Sequence, residues 1–111
     1  MAGFPEIIRK LPQADAPFPG ITLWLLQGPT ACATFVEAME DADIPEHSHG
    51  PQWGVIVAGE LVLTIDGKTR VYRPGEEYDV PAGVPHAAKL RRGVRVVDFF
   101  DDPKRYRPRD D

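Results

Sequence analysis

The chain of 111 residues contains only three histidines, and their spacing is its first sign of chemistry. His47 and His49 stand two apart in "PEHSHGPQWGVIVAGE" (45–60). On an extended backbone that spacing sends both imidazoles off one face. His86 closes "GEEYDVPAGVPH" (75–86), where Gly75, Pro81, Gly83 and Pro85 constrain the backbone into a corner that aims one side chain. Neutral imidazole is a common ligand for transition metals. A pair from one strand and a third ring from a remote corner could close around a single cation. An isolated H-x-H is a weak signal. A chain whose every histidine falls in such a place gives a stronger one.

A carboxylate adds to this. In "GVRVVDFF" (93–100), Asp98 shares one strand face with Val94, Val96 and Phe100. An acid in an apolar stripe is expensive to bury unless it has a partner or a task. Two readings stay open for it: an acid/base group, or a salt bridge at the barrel end to Arg70 or Arg95. Cys32 is the only cysteine and lies in the apolar run "ACATFVEAM", as expected of a buried, inert thiol.

These side chains must be positioned by short strands. Twelve prolines and ten glycines are spread along the chain, and such punctuation suits strands and turns better than long helices. Period-two alternation predicts strands at 21–27, 31–39, 53–59, 60–66 and 93–100, with shorter ones around "YDVPAGVPH". Asp66-Gly67 between Leu61/Leu63/Ile65 and Lys68/Arg70/Tyr72 predicts a tight hairpin, because both central residues of a type I′ turn need positive φ. About eight short strands imply an all-β fold, a small barrel or two-sheet sandwich, in one domain. The expected organisation is an N-terminal arm (1–20), a barrel (21–100) and a charged tail (101–111). The tail is read as a solvated, irregular extension. Trp24 and Phe35 are read as core. Trp53, Val55 and Val57 make the outer face of their strand apolar, so a second subunit is the expected cover and a homodimer the expected assembly.

The formal charge of −4 gives no reason to expect nucleic acid or an anionic membrane as partner. The N-terminus lacks a basic segment followed by an apolar one, and no apolar run approaches membrane-spanning length. The cytoplasm is the expected location.

"HSHGPQWGVIVAG" and "GEEYDVPAGVPH" together resemble the two motifs of the cupin superfamily, and the resemblance spans about residues 20 to 100. His47, His49 and Gly59 match the first motif; Gly75, Pro81, Gly83 and His86 match the second. Gln52 stands where cupins usually carry glutamate. The resemblance implies a cupin-type, RmlC-like jelly-roll barrel with a divalent transition metal (Zn, Ni, Fe, Co, Mn or Cu) held by His47, His49, Gln52 and His86. Three imidazoles and a carboxamide form a neutral ligand set, so such an ion would keep its full formal charge. It would then favour anionic substrates and Lewis-acid chemistry over redox cycling. Glu46, the competing carboxylate, should point to the other strand face.

Glutamine in the first motif with D-x-F after the second is similar to the cupins that linearise 4,5-unsaturated monouronates from pectin and alginate. That likeness implies catalytic roles for Asp98 as acid/base, Phe100 against the sugar ring and Arg105 on the substrate carboxylate. The implied function is a metal-dependent isomerase or lyase acting on a small, sugar-acid-like substrate. Two alternatives stand beside it: an O₂-dependent metal dioxygenase, and a non-catalytic module that binds a small molecule.

Overall fold

The computed structural model describes residues 3–109. Met1 and Ala2 of the expected arm, and Asp110 and Asp111 of the expected tail, lie outside the described residues. Among the described residues, one helical turn, α1 (Glu6–Arg9), precedes nine strands: β1 (Ile21–Gln27), β2 (Cys32–Ala38), β3 (Ala42–His47), β4 (Gln52–Ala58), β5 (Leu61–Ile65), β6 (Lys68–Tyr72), β7 (Glu77–Val80), β8 (His86–Leu90) and β9 (Arg95–Phe100). One sheet has the order β1-β2-β9-β4-β7, the other β3-β8-β5-β6. All their pairings are antiparallel. The two sheets form the jelly-roll barrel that the strand pattern implies.

Alternation decides which side chains enter the core. On β2, Cys32, Thr34, Val36 and Ala38 are buried; on β9, Val96, Asp98 and Phe100 are; from the second sheet, Leu61, Leu63 and Leu90 are. Each buried side chain of Val or Leu size contributes about 1.5–3 kcal/mol relative to exposure. The β5–β6 hairpin closes through Asp66 (φ 51°) and Gly67 (φ 77°), the two positive values that its turn demands.

An irregularity in β3 matters most for the site. Its register with β8 runs Ile44↔Ala88 and then His47↔His86, so β3 carries one extra residue. Residues three apart on a regular strand face opposite sides. The bulge resets that parity, and Ile44 and His47 both line the interior while Pro45 and Glu46 are exposed. Proline is tolerated here because β3 is an edge strand and Pro45 has no ladder hydrogen bond to donate.

The arm and the tail are more ordered than their compositions suggest. The arm makes its one-turn helix and then folds back, with an isolated bridge from Gln13 to Trp24. Phe4 is buried edge-on against Trp24 (6.0 Å between centroids) and Phe35 (5.8 Å). Trp24 is therefore buried, as expected, but beneath the arm rather than inside the barrel. The tail is irregular, yet it is not simply solvated. Gln27 Nε2 donates to the carbonyls of Pro103 (2.8 Å) and Tyr106 (3.1 Å), Asp15 N–H donates to Arg107 O, and Tyr106 is buried.

Removing the ring that joins arm to sheet should be costly. Phe4→Ala is expected to destabilise the fold by roughly 2–4 kcal/mol, read from the midpoint shift in a denaturant titration. A shift equivalent to less than about 0.5 kcal/mol, the scale of a neutral surface change, would show that the arm does not brace the sheet.

Candidate metal centre

β3 ends at His47, the following loop carries His49, and β8 begins at His86. Strand pairing sets His47 directly opposite His86. The loop is drawn in by the second motif, whose Gly83 N–H donates to His49 O (2.8 Å). The three rings converge, with centroids 4.3 Å (His47–His86), 4.7 Å (His49–His86) and 5.2 Å (His47–His49) apart. One ring nitrogen from each lies within 4.8 Å of the others. His49 therefore joins its neighbour from a loop, not from the continuous strand expected from the sequence. Glu46 is exposed, as the alternation argument required.

The backbone also sets the tautomers. Nδ1 of His47 meets Pro45 O (2.8 Å), that of His49 meets Gly50 O (2.7 Å), and that of His86 meets Val84 O (2.9 Å). A carbonyl only accepts, so each Nδ1 must carry the proton and each Nε2 is left with a lone pair. Nε2 of His49 and Nε2 of His86 are 3.1 Å apart. Two lone pairs facing one another repel, and a cation between them removes the conflict. Ligands at about 2.1 Å and at right angles around one metal ion would lie about 3 Å apart. Burial pushes the imidazolium form of His49 down to about 4, with Arg105 and the other two rings adding to the effect. Burial lowers His86 as well, with the charges of His47 and Arg105 in support. These two rings are neutral near pH 7 and need lose no proton to bind metal. The donor set fits a divalent transition metal.

The cavity that holds the histidines is also lined by Gln52, Tyr78, Asp98, Phe100, Arg105 and Tyr106, above a floor of aliphatic side chains. Asp98 is 8% exposed. Burial raises its carboxyl from 3.8 to about 6; hydrogen bonds from Tyr78 and Gln52 and the charge of Arg105 hold it back from rising further. Neither salt bridge considered from the sequence forms. Arg70 pairs with Glu76 and lies over the Tyr72 ring, and Arg95 donates to Gly3 O. Phe100 is buried edge-on to His49 (5.4 Å) and Tyr106 (5.8 Å). Arg105 packs over the ring of Tyr106 (4.3 Å) and that of Phe100 (5.6 Å). Its Nε is buried and has no hydrogen-bond partner among the described residues. Pro17 and Phe18 of the arm stand with Arg105 and Tyr106 around a groove outside His47 and His49. All seven residues singled out from the sequence thus line one cavity.

Two participants were not found from sequence. Tyr78 donates its hydroxyl proton to Asp98 in a very short hydrogen bond, and burial holds that phenol well above its ordinary pKa. Gly54 makes the bond possible. Strand register sets Asp98 beside Gly54, and Gly54 beside Tyr78. A Cβ on Gly54 would collide with the phenol and with the Asp98 carboxylate. The alternation of Tyr78 and Val80 with Glu77 and Asp79 indicates that the tyrosine points inward, but nothing in sequence says what it meets.

A two-sheet β-barrel with three convergent imidazoles at one end of its cavity defines the class of protein. The chain belongs to the cupin family: the cupin domain model matches residues 34–100. It is similar to the structure of KdgF from Halomonas sp., at 26% identity over 88% of this chain and 87% of that one, with a TM-score of 0.71. An RmlC-like cupin from Shewanella frigidimarina is 25% identical over 85% and 86% of the two chains, with a TM-score of 0.74. The conserved SPY1581 protein of Streptococcus pyogenes, of unknown function, is 25% identical over 75% of each chain, with a TM-score of 0.67. No curated protein sequence matches.

The raised carboxyl of Asp98 makes a signed prediction. Between about pH 4 and pH 6 the folded, metal-free protein holds a proton on Asp98 that the unfolded chain has already released. Stability from this group is therefore greatest below pH 4 and is lost as pH rises through 6. Asp98→Asn removes that dependence, while the histidines contribute equally to both proteins. In the presence of chelator, the stability of Asp98→Asn relative to wild type should rise by on the order of 2–3 kcal/mol from pH 4 to pH 7. Denaturant midpoints across that range measure it, and a difference independent of pH would contradict it.

Proposed function

We propose that the chain is a metal-dependent enzyme that isomerises, or eliminates from, a small anionic oxygenated molecule, with a 4,5-unsaturated monouronate as the first substrate to try. The observation that carries this reading is the meeting of three groups in one cavity: the three-imidazole cluster, a buried carboxyl raised to about 6, and an arginine with no carboxylate within salt-bridge distance among the described residues. A divalent ion held by His47, His49 and His86 would act as a Lewis acid toward an oxygen of the substrate. Gln52 is its fourth ligand in this reading.

The roles of the chain's own residues follow from their places. Asp98 has a carboxyl poised near 6, so both of its protonation states are accessible near pH 7, as a general acid/base requires. Arg105 meets the substrate carboxylate with its guanidinium, whose unmatched N–H looks for an acceptor. Phe100 offers an apolar wall to one face of the substrate. Linearisation of an unsaturated uronate needs one proton to leave the anomeric hydroxyl as the bond from C1 to the ring oxygen breaks. The enolate so released at C5 becomes a ketone when C4 takes up a proton. No atom is gained or lost, and one carboxyl that first accepts and then returns a proton serves both transfers. The resemblance of the motifs to the uronate-linearising cupins supports the choice of substrate.

Purified protein should hold about one transition metal ion per chain, and His86→Ala should lose it, as elemental analysis will tell. Asp98→Ala should retain the metal yet lower turnover of the unsaturated uronate by about 10²–10⁴-fold, followed as loss of the absorbance of its conjugated double bond. Full metal occupancy in His86→Ala would refute the centre. Unchanged turnover in Asp98→Ala would refute the acid/base role.

A second copy of the chain is the proposed cover for the outer face of the five-stranded sheet. There Phe99 (47% exposed) stands in register between Ala33 and Trp53, beside Val55 and Val97, with Val57 (42%) and Leu26 (52%) nearby. Contiguous apolar surface of this kind on a sheet points to an interface. Light scattering should find a dimer for wild type and a monomer with intact metal content for Phe99→Glu; a monomeric wild type would remove the proposal.

A further inference from the structure

Gln27, the last residue of β1, does not line the cavity, yet its amide reaches the segment that carries Arg105. Its Nε2 donates to Pro103 O (2.8 Å) and to Tyr106 O (3.1 Å). Both partners are carbonyls and only accept, so it is the amide nitrogen, with its two hydrogens, that must face them. The two carbonyls flank Arg105. Lys104 N–H meets Asp102 Oδ1 (2.8 Å) and Arg105 N–H meets Asp102 O (3.4 Å), bonds that shape a turn without joining it to a strand. Backbone anchors lie on either side, where Asp101 N–H donates to Pro51 O (3.2 Å) and Asp15 N–H donates to Arg107 O (2.8 Å). Between those anchors Gln27 ties the turn to the five-stranded sheet.

The guanidinium depends on that tie. Arg105 lies over the Tyr106 ring (4.3 Å) and over that of Phe100 (5.6 Å), with its Nε buried. Phe100 is fixed in β9, whereas Tyr106 belongs to the tail. A shift of the turn would carry Tyr106 along with Arg105 but would take the guanidinium off Phe100 and away from its place in the cavity wall.

We infer that Gln27 is a positioning residue for Arg105: it holds the 103–106 turn in register, so that the guanidinium is presented to an anionic group in the cavity. This rests on the reading of Arg105 as the residue that meets the substrate carboxylate. Gln27 is exposed, and its replacement should cost the fold little. Its effect belongs to the geometry of the mouth.

The test separates a role exerted through Arg105 from a general effect on the fold. Gln27→Met keeps the length of the side chain and removes both donors; Gln27→Ala repeats the change with no long side chain to pack on the tail. Circular dichroism of both should match wild type. In metal-free protein, the proton–nitrogen spectrum of the arginine Nε–H groups should show Arg105, assigned by its loss in Arg105→Lys, shifted upfield by the ring faces. In both Gln27 variants that signal should move toward those of the exposed arginines. A signal that stays in place would overturn the inference, whatever the substrate.

In turnover of the unsaturated uronate, Gln27→Met should raise KM about tenfold, the scale of a weakened hydrogen bond to a charged group, and leave kcat within about twofold. Arg105→Ala should raise KM at least as far. The double variant should be no worse than Arg105→Ala alone, because Gln27 has nothing left to position. Independent, additive losses in that cycle, or a fall in kcat with KM unchanged, would overturn the inference. A wild type that does not turn over the uronate removes the proposed substrate instead, and the arginine spectrum then decides the inference.

Discussion

The pairing of β3 with β8 is the constraint from which the centre follows. It sets His47 against His86 across a bulge; in a strand without the bulge His47, three residues after Ile44, would turn to solvent while Ile44 stayed in the core. The second motif then recruits His49 by a hydrogen bond from Gly83, so the two halves of the site are tied through backbone as well as through the cavity. Backbone carbonyls accept a hydrogen bond from Nδ1 of every ring, leaving a lone pair on each Nε2, and those of His49 and His86 face one another. A cluster arranged this way is pre-organised for a cation. Its rings need no change of tautomer to bind.

The second organising feature is a row of inward positions across four neighbouring strands: Thr34 on β2, Asp98 on β9, Gly54 on β4 and Tyr78 on β7. The smallest residue in the middle allows the largest to reach the acid. Burial alone would drive Asp98 toward its neutral form; hydrogen bonds from Tyr78 and Gln52 limit the rise and leave the carboxyl near 6. Tyr78 and Gln52 thus set the protonation behaviour of the acid.

The segments flanking the barrel contribute more to the cavity than their sequences suggest. The arm covers Trp24 on the outside of the sheet and brings Pro17 and Phe18 to the mouth. The tail is fastened by Gln27 and by the backbone of the arm, and it delivers Arg105 and Tyr106 to the same mouth. Cys32 lies buried on β2, and burial raises its thiol above the ordinary value, consistent with an inert packing residue. No helix among the described residues is long and apolar enough to cross a membrane.

Local spacing alone made a good part of this protein legible. Alternation and turn residues gave the strands, with β1 at its observed limits, because burial on one face of a pleat writes itself into every second residue. Asp66-Gly67 gave the hairpin, since few residue pairs accept two positive φ values. The positions of His47, His49 and His86 gave a candidate centre, and the apolar stripe around Asp98 marked that acid as unusual. What sequence could not supply was pairing between strands far apart in the chain. The bulge in β3, the meeting of Tyr78 with Asp98 across Gly54, and the folding of the tail onto the mouth all depend on register between such strands or on packing against them. A residue type records the face it occupies, whereas its partner across the barrel is fixed only when the two sheets close on each other.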